Sequence, residues 1–389
     1  MGRHPYIAWA LVAALLPICF SLISISANHS GNLTHAIRVG SVVYEREGVY
    51  QLLKGSKPVI WSKYGFDGQY FLCLAHDPFL RNQATARALD APHFRARRIL
   101  YPIVARLIET KRSSVPFGML MAQYLALVCL SLFGALYLRD VGKHPICIFF
   151  LTISFSLAHT LETFTSETLA TLFVFLALFA HQKKRWLSLW FLCALAILTK
   201  EISAIVVLAI SLADFIAGER KRAILWLTAV LPLLLWICYV NHQIPGNPNL
   251  LSGAKNLGLP LKGLLSTTVS DLLKMSAGKD LFVLGLRVLM RLWFLLTTIY
   301  CLYACAKKKS AAAYFAAFSG ILALLLTAGD TTFAYDAARN FARQLYLLPP
   351  ALFFLCQKES NRIEHAILLT FLLLSIANHY LIICGRISF

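Results

Sequence analysis

Charge is what this chain has least of. Asp, Glu, Lys and Arg make up 14% of its 389 residues, against 58% hydrophobic ones, whereas a soluble globular domain is roughly a quarter charged. An ordinary water-soluble core is thereby excluded and a bilayer solvent indicated, in line with a mean hydropathy of +0.66. Acidic groups are scarcer still, 18 against 37 basic ones, for a net charge of +19. In a soluble chain that balance would point to nucleic acid. In so apolar a chain it points to basic cytoplasmic connections instead, and no nucleic-acid partner is expected. Cysteines in metal-ligand or disulfide spacing are also lacking. The ten that occur are scattered, mostly in apolar stretches (Cys19, Cys129, Cys193, Cys301), with Cys73 in a polar segment; they read as small apolar residues. There is no heptad run, low-complexity tract or internal repeat, and the missing repeat counts against the two-halved build of many secondary transporters.

What is present is a series of apolar stretches of membrane-spanning character. They predict an all-α polytopic membrane protein of about eleven helices, over 7–26, 116–138, 145–161, 167–182, 186–200, 202–217, 223–240, 281–305, 310–328, 341–357 and 364–384. The first reads as an uncleaved span, its apolar run from Tyr6 to Ser26 exceeding a signal peptide's core. Residues 1–389 form one transmembrane domain, interrupted by a long polar segment at 27–115 and a second at 241–280.

Alternate connections carry basic clusters: Arg139 with Lys143, Lys183-Lys184-Arg185, Arg220-Lys221-Arg222, Lys307-Lys308-Lys309, and Lys358 with Arg362. The positive-inside rule sets these and Arg3 in the cytoplasm, so 27–115 and 241–280 lie outside. The expected location is an integral membrane, the inner membrane of a bacterium, with membrane lipids as its surroundings.

The outer face gathers the unusual polar residues. The first loop contains Phe66-Asp67-Gly68-Gln69-Tyr70-Phe71, then Asp77-Pro78-Phe79, then Arg97-Arg98-Ile99-Leu100-Tyr101-Pro102. The same side carries Lys200-Glu201 and a segment with Asp336, Arg339 and Arg343, the two arginines sharing one helical face. These runs resemble the first-loop signature of GT-C type glycosyltransferases, and are similar to bacterial cell-surface glycopolymer membrane proteins with a YDGQFY…DPF…RYRRILYP pattern. More distantly they resemble GPI mannosyltransferase II. The specific match covers about forty residues.

The resemblance implies a hexosyltransferase that takes a sugar from a polyprenyl-phosphate donor on the non-cytoplasmic side and passes it to a glycan, lipid or protein acceptor. It implies that Asp67 is the base of an inverting displacement. Gln69, Tyr70, Asp77, Arg98, Tyr101, Lys200, Glu201, Arg339 and Arg343 are the expected substrate-binding residues. The superfamily's paired acidic motif is departed from here: Asp67 is followed by Gly68, and the next carboxylate is Asp77. No cofactor or metal ligand is assigned, and participation of a divalent metal (Mg or Mn) is left open. Elementary chemistry agrees, since displacing a lipid phosphate needs a base for the acceptor hydroxyl and positive charge for the leaving group.

Plainer readings stand beside these. Asp67 before Gly68 also suits a turn cap, as do Asp77-Pro78 and Asp90-Ala91-Pro92. Arg95, Arg97 and Arg98 suit anchoring to headgroups. Glu162 and Glu167 read as markers of the turn between two spans. Arg287 and Arg291, within the stretch 281–305, read as embedded charges, and 259–275 as an amphipathic helix on the outer surface. The competing functions are a polyprenyl-linked glycolipid transporter or flippase, and a glycan polymerase.

Overall fold

The computed structural model describes residues 4–46, 49–109, 111, 114–246, 261–278, 280–326, 345–355 and 362–384. Arg339 and Arg343 lie outside the described residues, as do Lys358 and residues 247–260 of the expected segment 241–280.

The described chain is a helical bundle, with one two-stranded parallel sheet in the first loop pairing β1 (Val39–Gly40) with β2 (Ile60–Ser62). Among the described residues, five helices are long and apolar enough to cross a membrane: α1 (His4–His29), α4 (Val115–Asp140), α9 (Arg220–Gln243), α11 (Leu281–Lys308) and α14 (Ile363–Ile383). A sixth crossing is made if Pro145–Thr152 and α5 (Phe155–Thr163), bent by 52° at their junction, count as one. The other expected spans are helical but short. α6 (Glu167–Gln182), α7 (Trp186–Thr199) and α8 (Ala204–Ile216) have 16, 14 and 13 residues, or about 20–24 Å at 1.5 Å per residue, against a hydrocarbon core of about 30 Å. α12 (Ala311–Leu326) and α13 (Leu348–Leu355) complete the bundle.

The first loop is a folded cap. Short helices fill it, among them α2 (Gly68–His76), buried along its whole length, and α3 (Leu100–Ile108), whose Tyr101 and Ala105 pack inward while Leu107 projects outward. The second polar segment forms α10 (Lys262–Ser276), packed on α11. Its amphipathicity is turned inside out. Asp271 faces inward and meets the buried Arg291 at 2.8 Å, while Leu265, Val269, Leu272 and Leu273 are exposed. Arg291 lies ten residues into an unbroken helix, about 15 Å along it, and is paired.

Basic connections meet at one end of the bundle. Asp140 at the end of α4 takes Lys183 beyond α6 at 2.6 Å, and His181 and Trp226 both bond Asp214 near the end of α8. The opposite ends of the same helices carry Gln123, Glu167, Thr199 and Ala204. The polar residues singled out in the first loop converge there.

Candidate active site

The turn bearing Asp67 is set by its neighbours' backbone. Gly65 adopts φ +68, a left-handed conformation that glycine takes without strain. Gly68 lies against the α5–α6 turn so closely that a Cβ there would stand 2.5 Å from the Thr163 carbonyl oxygen. Gln69 is buried and staples the loop: its Oε1 accepts from the Gly40 N–H at 2.9 Å and its Nε2 donates to the Tyr64 carbonyl at 2.8 Å. The Phe66 N–H donates to the Arg38 carbonyl at 3.0 Å. The Arg38 side chain runs inward beneath Trp61 to within 4.0 Å of Glu162. A loop of the cap is thereby fastened to a carboxylate inside the bundle.

Asp67 begins α2, but its side chain makes no capping hydrogen bond. Its carboxylate instead meets Arg95 Nη1 at 3.2 Å and is 21% exposed. Arg95 also grips Asp90 through Nε and Nη2, at 2.8 and 2.9 Å, and lies 4.7 Å from the centre of the Tyr70 ring. Burial works against charge on Asp90 and on Arg95. Their mutual bond, with the Asp67 charge on Arg95, outweighs it, so the Asp90 carboxyl is held below its usual range and the Arg95 guanidinium is pushed up. Burial, with Asp90 nearby, pushes the Tyr70 phenol up.

Behind this group lies a second layer. Arg98 makes a two-pronged bond to Glu201, at 2.9 and 2.7 Å, the planar pairing that arginine favours. Burial opposes the charge on Glu201 too, but Arg98 outweighs it and holds the carboxyl below the usual range. Lys200 Nζ reaches Glu167 at 2.8 Å, with Lys200 at 2% and Glu167 at 1% exposure. The ammonium also stands 4.6 Å from the Tyr346 ring centre, and the Tyr346 hydroxyl shares a 3.0 Å hydrogen bond with Ser203. Tyr101 donates to the Met119 carbonyl at 3.1 Å and accepts from Gln123 at 3.0 Å, which ties α3 to α4.

Asp67, Gln69, Tyr70, Arg98, Tyr101, Lys200 and Glu201 thus share one end of the bundle. Asp77 stands apart, at the far end of α2, nine residues long, roughly 15 Å along its axis. Its carboxylate accepts from the Arg81 and Asn82 N–H groups and from the Thr85 hydroxyl, the turn-and-cap use that Asp-Pro suggests. Arg95 and Arg98 point at carboxylates. Glu162 and Glu167 are buried ion-pair partners, a role beyond marking a turn. Together with Arg38 and Tyr346, they are site residues that the motif did not single out. The available signal was two carboxylates in the otherwise uncharged stretch 145–182.

Among the described residues, no three His, Cys, Asp or Glu side chains gather as a metal donor set. Asp67 and Asp90 both engage Arg95, and Asp77 is remote, so these carboxylates do not fit a Mg or Mn ion. The cations Arg38, Arg95, Arg98 and Lys200 face the carboxylates of Glu162, Asp67, Asp90, Glu201 and Glu167. The described part of the site therefore carries no surplus positive charge. No protein-family profile, curated protein or solved structure matches the chain. What the sequence and structure establish together is an all-α protein with several apolar helices of membrane-crossing length.

Proposed function

We propose that the chain is a membrane glycosyltransferase of GT-C type, an eleven-span bundle with its first loop outside the cytoplasm. It moves a sugar from a polyprenyl-phosphate donor to a glycan, lipid or protein acceptor. The observation that carries this reading is the position of Asp67, a partly exposed carboxylate not used as a cap, held by Arg95 in front of two buried ion pairs.

In the proposed reaction, Asp67 takes the proton of an acceptor hydroxyl. The oxygen attacks the anomeric carbon from the face opposite the phosphate, the carbon–oxygen bond to phosphate breaks, and its electron pair leaves with the polyprenyl phosphate. Inversion follows from this single in-line step. Arg95 holds the carboxylate aimed. Because the described cations are already matched by carboxylates, the leaving phosphate is assigned to Arg339 and Arg343, whose planar forks suit it.

A test is incubation of the purified protein with a panel of radiolabelled polyprenyl-phosphate sugars. Asp67→Asn is expected to lower transfer by about 10²–10⁴, the usual worth of general-base catalysis, with the protein still inserted and folded. Full transfer by this variant would remove Asp67 as the base.

A transporter or flippase is the second reading. It is favoured by the break between Thr152 and Phe155, where buried Ser154, Ser156 and His159 lie near Ser375 and Asn378, since broken helices lined by polar groups mark transport sites. Movement of a labelled glycolipid across proteoliposomes, without any transfer product, would support it instead.

A further inference from the structure

At the end of the bundle opposite the candidate site, α1 and α4 leave a groove of about 350 Å³ between them. Ile7, Leu132, Phe133 and Leu136 wall it, and Arg139 lies at its end. Gln123, which bonds Tyr101 in the candidate site, is sixteen residues before Arg139 on the same helix, about 24 Å away along its axis. The groove is therefore a separate feature.

We propose that it is a binding site for an anionic phospholipid, with the phosphate on Arg139 and Lys183 and one acyl chain along the apolar wall. Three observations carry this. First, the wall is apolar and open outward: Ile7 and Phe133 are 47% and 38% exposed, a cost in water but not against lipid. From Leu132 to Arg139 it runs about 10 Å, so a ligand that covers it has a hydrocarbon chain and not merely a charged group.

Second, Arg139 at the end of the groove shares an excess of positive charge with Lys183, which stands beside it across Asp140 and does not itself line the groove. Asp140 is the carboxylate partner of two cations, Arg139 Nη2 at 3.0 Å and Lys183 Nζ at 2.6 Å. One carboxylate cannot neutralise both, and each side chain is partly exposed. Third, the groove is built and not a chance gap. The Tyr6 hydroxyl donates to the Lys143 carbonyl at 2.9 Å and fixes the start of α1 against the turn beyond α4, while buried Ala10 accepts from Ser131 through its carbonyl at 2.6 Å. A zwitterionic lipid would bring a compensating positive group to the same mouth and gain less. On the orientation that the basic connections predict, the groove opens in the cytoplasmic leaflet, where anionic lipids concentrate.

The site is tested on the purified full-length protein in detergent, without reference to any activity. Thermal midpoints are measured against increasing phosphatidylglycerol, phosphatidylcholine and diacylglycerol of the same chains, and against inorganic phosphate. A saturable rise with phosphatidylglycerol alone is expected. Arg139→Ala should weaken it about fivefold, the worth of one basic group near an anionic surface, and Arg139→Lys should keep most of it. Equal rises with phosphatidylcholine or diacylglycerol, a rise with phosphate alone, or no change in Arg139→Ala would each overturn the proposal. Leu136→Trp, which fills the groove and leaves the charges in place, gives a second measurement by native mass spectrometry. Loss of retained phosphatidylglycerol supports the site, and unchanged retention overturns it.

Discussion

Arg95 does the work at the residue scale that a capping hydrogen bond does elsewhere: it settles where the Asp67 carboxylate points. A guanidinium has five donors in a plane, and here Nε and Nη2 take Asp90 while Nη1 takes Asp67. Asp90 and Glu201 are both held below the usual carboxylate range, burial working against their charge and the paired arginine outweighing it. A carboxyl whose folded pKa is depressed stabilises the fold above its unfolded value of about 4, and that contribution is lost as pH falls through the folded value. We predict a thermal midpoint that is steady from pH 7 to about pH 5 and falls below about pH 4. Arg95→Met should flatten that fall, because it removes the partner that depresses Asp90. A midpoint that does not move between pH 7 and pH 3 would show that neither ion pair contributes.

At the scale of elements, the site is assembled from helix ends. α2 starts just after Asp67, α6 at Glu167, α7 ends before Lys200, and α3 starts just after Arg98. Such ends leave backbone groups unpaired and are where polar side chains are tolerated in an apolar bundle. The Lys200–Glu167 bond joins two of these turns in a nearly dry environment. Removing one partner of such a pair strands the other charge and costs about 3–5 kcal/mol, whereas replacing both by apolar groups is often neutral. Lys200→Met is therefore expected to destabilise the protein by that amount. Lys200→Met with Glu167→Leu should recover most of it, as read by thermal or denaturant unfolding in nanodiscs. Equal losses in the single and double variants would mean that the pair does not act as a unit. Glu167 also shows where sequence reading stopped. Asp67, Arg98, Lys200 and Glu201 stand in motifs or at span ends and were legible there. Glu162 and Glu167 sit among threonines and a serine in a turn between two apolar stretches, and only folding brings Arg38 and Lys200 to them. Asp77 shared the motif but not the place, because a nine-residue helix holds it away from Asp67.

For the molecule as a whole, the same limit decides how much of the architecture could be read. Hydropathy located the helices because each must satisfy its own backbone in lipid, and the short stretches 167–182, 186–200 and 202–217 are correspondingly short helices. It did not show that the loop 27–115 is a folded cap with a fully buried helix. Charge alternation predicted a single basic end, and the Asp140–Lys183 and His181–Asp214 contacts bring the first three of those connections together, opposite Asp67. If that end is cytoplasmic, a cysteine at Tyr64, 68% exposed in the cap, is open to a membrane-impermeant maleimide in intact cells. A cysteine at Lys184, exposed in a basic connection, reacts only after the cells are permeabilised. Tyr64→Cys and Lys184→Cys are each compared with the unsubstituted protein, which subtracts the signal of the native cysteines. Labelling of Lys184→Cys but not of Tyr64→Cys in intact cells would invert the orientation. It would also place Asp67 on the cytoplasmic side, where a donor presented outside could not reach it.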